Sequence, residues 1–123
     1  MRTGNENLGF SGTDLSTNQT SYDLFLSNIF NYSIQLVFTG SPVGTFKLQC
    51  SNDQGNPVTP TQTEQNSGVV HWTDVASSST SVSGAGNILF DVQNTGYRWV
   101  RVVYTASSGS GTLTVARFNL KGI

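Results

Sequence analysis

The stretch QNTGYRWVRVVYT, Gln93 to Thr105, decides the fold. It sets two arginines and three aromatics in what otherwise reads as a strand. Strand side chains alternate between faces, so Val100, Val102 and Tyr104 share one face, and Trp99, Arg101 and Val103 share the other. Apolar bulk on both faces marks a central strand whose second face is covered by a loop, an arm or a neighbouring chain. The stretch is therefore expected to be the spine of the fold, with an outer face that meets a neighbour.

Working outward, residues 31–39 alternate, with Ile34, Leu36 and Phe38 on one face. Gly40-Ser41-Pro42-Val43-Gly44 then supplies turn chemistry before the alternating run 45–51, which predicts two adjacent antiparallel strands. Residues 52–68 hold two of the three prolines and no apolar period, so they are expected to form a long surface loop. Regularity resumes at Val69 to Val75, at Asn87 to Val92, and at Gly111 to Gly122, where a parity change predicts a bulge near Ala116-Arg117. That bulge would bring Arg101 and Arg117 to related positions. The run 77–86 is of low complexity, the Gly-rich runs 83–87 and 107–112 read as turns and hairpin ends, and only Ser21 to Phe30 carries a weak helical period. These signals predict an all-β fold: a single antiparallel β-sandwich of jelly-roll or galactose-binding-like type over residues 20–123. Residues 1–19 are expected to form an extended N-terminal arm whose Leu8, Phe10 and Leu15 lie on an adjacent subunit.

The 123 residues suffice for one domain, and only 11% are charged, well below the roughly 25% of an average domain. The surface must then be built from hydroxyl, amide and glycine groups. A net charge of -1 offers no cationic footprint for nucleic acid, and no apolar run is long enough to span a membrane. The N-terminus lacks the cationic-then-apolar pattern of a signal peptide, so ordinary export is not expected. Cys50 falls in an alternating run and is read as a small core hydrophobe.

Chemistry-bearing patterns are sparse. His71 has no second His or Cys at zinc-ligand spacing, and no GxSxG accompanies it. The carboxylates Glu6, Asp14, Asp23, Asp53, Glu64, Asp74 and Asp91 are scattered. The glycine-rich runs lack the lysine and helix of a phosphate loop. Trp72, Tyr97, Trp99 and Tyr104 could stack on sugar rings but fit core or interface better. No metal, cofactor or catalytic residue is predicted.

The order GTFKLQCSNDQG, then WTDV, then FDVQNTGYRWVRVVYT resembles discoidin-like, or coagulation factor type C, domains and related carbohydrate-binding modules. A long insertion separates Asp53 from Trp72, and the resemblance covers roughly the last 80 residues. Leu36 to Asp53, Trp99 to Val115 and Phe118 to Gly122 also resemble small structural proteins of tailed-bacteriophage virions. That second resemblance implies a non-enzymatic, many-copy building block, either a head decoration or a tail or fibre component. Its partners would be itself and other virion proteins, with Leu8, Phe10, Leu15, Trp99 and Arg101 at the assembly interface. The alternative is a carbohydrate-binding module that attaches to a host glycan through Asn52, Asp53 and Trp72.

If Val100 lies in the core of a central strand, Val100→Asp buries an unpaired carboxylate at a cost of several kcal/mol. The variant is expected to be unfolded by circular dichroism, and wild-type-like melting would reverse the assignment of faces.

Overall fold

The computed structural model describes residues 3–7, 12–26, 29, 31–55, 63–64 and 67–121. Two strands run the length of the molecule. Strand β5 (Asn31–Ser51, 21 residues) pairs antiparallel with β10 (Trp99–Lys121, 23 residues), from Trp99↔Ser51 to Lys121↔Asn31. Along the other side of β10 lie β1 (Thr3–Asn7), β2 (Thr13–Asp14), β3 (Gln19–Thr20) and β4 (Asp23–Phe25), with β6 (Thr63–Glu64) outside β4. Along the other side of β5 lie β7 (Thr73–Asp74), β8 (Thr80–Ser83) and β9 (Gly86–Val92). The chain thus makes long antiparallel passes in the spatial order first, fourth, second, third.

The ribbon is folded in half across its width, and glycines make the crease. Gly40 has φ +86°, and a Cβ there would lie 2.8 Å from the Cα of Gly111 on the paired strand. A Cβ at Gly109 (φ +73°) would strike the carbonyl of Ser41, and one at Gly111 would strike that of Thr39. The register slips between Ala106 and Ser108 at the same level. On the third pass, Gly84 (φ +98°) donates its N–H to the carbonyl of Pro42 at 2.9 Å and carries that pass over the same line. The expected hairpin at Gly40 to Gly44 is therefore absent. Its turn residues bend the chain out of the sheet plane, and the strand continues to Ser51. The run 107–112 does the same within β10.

Folding the ribbon lays one half-sheet (3–7, 112–121, 31–39, 86–92) over the other (19–25, 99–105, 44–51, 73–83). This is the all-β sandwich expected from the alternation, in jelly-roll arrangement. Phe38 and Phe46, on either side of the crease, meet with ring centroids 5.6 Å apart, and Phe46 meets Tyr104 at 4.6 Å. Tyr32, Ile34, Leu36, Leu48, Val100, Val102, Leu113 and Leu120 belong to the same continuous core. Val100, Val102 and Tyr104 are wholly buried, as their shared parity requires. The ring of Tyr104 occupies space that a Cβ on Gly44 would take, and its hydroxyl has no hydrogen-bond partner among the described residues.

Several local expectations are corrected. The bulge lies between Leu113 and Val115 rather than at Ala116-Arg117, because one extra residue at Thr114 lets Leu113, Ala116 and Leu120 all point inward. Arg101 pairs with Gln49 and Arg117 with Gln35, so the two arginines sit in different half-sheets. Within Ser21 to Phe30 the described chain is extended at β4. The segment read as an arm is tied to its own chain: Thr3↔Lys121 through Asn7↔Arg117 form a ladder, and the Leu15 N–H donates to the Gly111 carbonyl at 2.9 Å. An Asx turn, with Ser16 N–H on Asp14 Oδ1 at 2.9 Å, brackets Leu15, which is fully buried in the core. Cys50 is only half-buried, at the open end of the sandwich.

Gly109 and Gly84 share a positive φ, but only Gly109 has backbone where a Cβ would go. Gly84→Ala is expected to cost about 1 kcal/mol, and Gly109→Ala about 3–5 kcal/mol. Chemical denaturation of the two variants measures the difference; equal costs would mean that the crease is not held by backbone contact.

Candidate functional site

Arg101 stands near the start of β10, on the outward face of its half-sheet. Its Nε and Nη2 donate to Gln49 Oε1 on β5 at 2.9 and 2.7 Å, and its guanidinium lies 4.2 Å from the centre of the Trp72 ring. This cross-strand pair and cation–π contact hold a long, flexible cation in one place. On the opposite flank β4 supplies Asp23, whose Oδ2 accepts a short hydrogen bond from Ser67 Oγ. Ser21 seals the seam, exchanging bonds with the Val102 backbone: its N–H donates to Val102 O and its Oγ accepts from Val102 N.

Between these groups lies a cleft of about 440 Å³ lined by Tyr22, Asp23, Ser67, Val69 and Arg101, among others. Burial pushes the Asp23 carboxyl up, with the Ser67 bond and the Arg101 charge acting against it. Burial likewise lowers the Arg101 guanidinium, and Asp23 opposes that shift. The two feel each other's charge, yet among the described residues no ion pair or hydrogen bond joins them. A half-buried acceptor and a half-buried donor thus face one polar cleft, an arrangement able to hold a neutral molecule carrying several hydroxyls.

Asn52, Asp53 and Trp72 do not converge. Asn52 Oδ1 accepts the Arg98 N–H at 3.1 Å, and Asp53 Oδ2 accepts the N–H groups of Val70 and His71 at 2.9 Å each. The backbone carbonyl of Asp53 accepts Trp99 Nε1–H at 3.1 Å. Those backbone bonds, with the His71 ring 3.2 Å away, hold the Asp53 carboxyl below its ordinary value. Asn52 and Asp53 line a separate cleft of about 450 Å³ with Cys50, His71 and Tyr97. Burial and then the Asp74 charge push the Cys50 thiol up. Trp72 instead presents a ring face to Arg101.

Of the residues expected at an assembly interface, Leu8 and Phe10 lie outside the described residues. Leu15 and Trp99 are fully buried within this chain, because the Asx turn and the Asp53 corner draw them inward. Of the three that are described, only Arg101 reaches the surface. Sequence reasoning missed Asp23 and Ser67, which are 44 positions apart and meet only through tertiary folding. It also missed Leu89, although the alternation of residues 87–92 sets it on the face opposite Phe90.

Strand β9 is the outermost strand of its half-sheet. It pairs with β5 from Tyr32↔Val92 to Phe38↔Gly86, and no other strand pairs with it among the described residues. Phe90 points into the core while Asn87, Leu89 and Asp91 point out, and Leu89 is 58% exposed. No proline, lysine or bulge interrupts the seven residues, and Asp91 is the one charged side chain along them. No family model, curated protein or solved structure matches the chain.

A carboxyl with a raised folded pKa binds more protons in the folded state, so Asp23 weakens the fold as pH climbs above its ordinary value of 3.8. Asp14, Asp53 and Asp74, whose values are lowered, act in the opposite direction and lose their contribution as pH falls. Asp23→Asn keeps an acceptor for Ser67, and is expected to be more stable than wild type at neutral pH. That advantage should vanish as pH drops to the ordinary carboxylate value. Urea denaturation across this range measures it; an advantage independent of pH would contradict the shift.

Proposed function

We propose that this chain is a non-enzymatic structural protein of a tailed-bacteriophage virion, working as a head decoration or as a tail or fibre component. It acts through assembly contacts with itself and with other virion proteins. The observation that carries this reading is the β9 edge. A soluble monomer protects a flat apolar edge strand, because exposed N–H and C=O groups recruit other chains. An edge free of proline, lysine and bulge, with Asp91 its single charge and a 58% exposed leucine at its centre, fits a protein whose working state has a neighbour there. The resemblance of Leu36 to Asp53, Trp99 to Val115 and Phe118 to Gly122 to runs of small virion proteins supports the same reading, as does a surface of low charge that can be covered with little desolvation cost. Quantitative mass spectrometry of purified particles is expected to find the chain in many copies per particle. Its presence in the lysate but not in washed particles would sink the proposal.

A second reading, attachment to a host glycan, is favoured by the Asp23–Arg101 cleft and not by Asn52, Asp53 or Trp72, whose polar groups or ring face are engaged within the chain. A few placed polar or charged groups in a cleft fix the orientation of a small ligand. On a glycan array, wild type would bind a neutral oligosaccharide and Asp23→Asn would bind it less well. Unchanged binding in that variant would remove the cleft from consideration.

A further inference from the structure

Among the described surfaces, β9 says most about what lies against it. We propose that two copies of this chain pair through β9, antiparallel about a two-fold axis at Leu89, so that one sheet runs through both copies. This rests on the assembly reading above and names the partner at that edge.

The register follows from parity, length and charge. Side chains of paired residues share a face, so a pairing shifted by one residue would set Leu89 against Ile88 and turn one copy's core face toward solvent. Only axes through a residue remain. An axis at Asp91 would oppose two like carboxylates, and one at Asn87, Ile88 or Phe90 would overlap only part of the strand. The axis at Leu89 overlaps all of Gly86–Val92 and has no like charges opposed. It sets Leu89 on Leu89 and Asn87 on Asp91, where an amide N–H can donate to a carboxylate. On the inner face, Ile88 and Val92 are half-buried at the open edge while Phe90 is buried. The same axis brings the partner copy's Phe90 beside Ile88 and its Gly86 beside Val92, extending the core across the junction. A two-fold contact of this kind is self-complementary by construction.

A seven-residue edge buries less surface than the roughly 1,200–2,000 Å² of a stable complex. Pairing is therefore expected to depend on concentration and to be strengthened where other contacts hold copies together. Disulfide capture suits such a contact, since Cα atoms of directly opposed residues fall in the range a disulfide spans.

The test uses the full chain with Cys50→Ser. Leu89→Cys is expected to form disulfide-linked dimers about tenfold faster than Val70→Cys, which is 71% exposed but away from the edge. Asn87→Cys and Asp91→Cys should each cross-link slowly alone and rapidly when mixed, because each opposes the other. Equal rates for Leu89→Cys and Val70→Cys, or rapid cross-linking of Asn87→Cys by itself, would overturn the pairing. Mass spectrometry of particles judges the virion reading separately, so a chain that is present in particles but fails to cross-link defeats only this inference.

Discussion

Backbone packed directly on backbone at the glycine crease is the constraint on which the rest of the structure depends. The two longest strands can fold together only if nothing projects between them at the bend, and Gly40 against Gly111 meets that condition. Gly109 beneath Ser41 repeats the condition on the same two strands, whereas a Cβ at Gly84 would meet open space and the third pass is tied to the crease by the Gly84 N–H on the Pro42 carbonyl. Once the bend is made, side chains of one parity from both halves meet in a single core, and Phe38 stacks on Phe46 because they flank the crease. The Tyr104 hydroxyl, buried without a partner among the described residues, marks the cost of closure, since an unmade hydrogen bond of this kind costs about 1–3 kcal/mol.

The crease also explains what a sequence can and cannot disclose here. Alternation at residues 31–39, 45–51 and 99–104 identifies strands and sorts their faces, because burial on one side imposes a period of two regardless of topology. Glycine and proline at 40–44 announce a change of direction but not whether it lies in the sheet plane or across it. That depends on whether the residue opposite is also a glycine, and Gly111 is 71 positions away in the chain. Leu15 shows the same limit: among polar neighbours it reads as a tail residue, and only the Asx turn at Asp14 shows that it enters the core. The cleft was least legible. Arg101 stands out in its strand, but Asp23 and Ser67 are ordinary residues until β4 and the loop before Val69 bring them together.

Two surfaces with different chemistry result from one fold. The β9 edge offers main-chain hydrogen bonds and one exposed leucine, a combination suited to joining chains and indifferent to most small molecules. The Arg101 flank offers opposite charges that influence each other without pairing, which suits a ligand with both donors and acceptors. They lie in different half-sheets, so a contact at one leaves the other accessible.

The chain bends at the crease and does not turn back on itself there, and nuclear Overhauser contacts between α-protons distinguish the two arrangements. A strong contact between Gly40 and Gly111 is expected, with further cross-strand contacts along the Thr39↔Thr112 and Thr45↔Thr105 pairs. A contact between Thr39 and Thr45, with none from Gly40 to Gly111, would mean that these residues form a hairpin and would contradict the account.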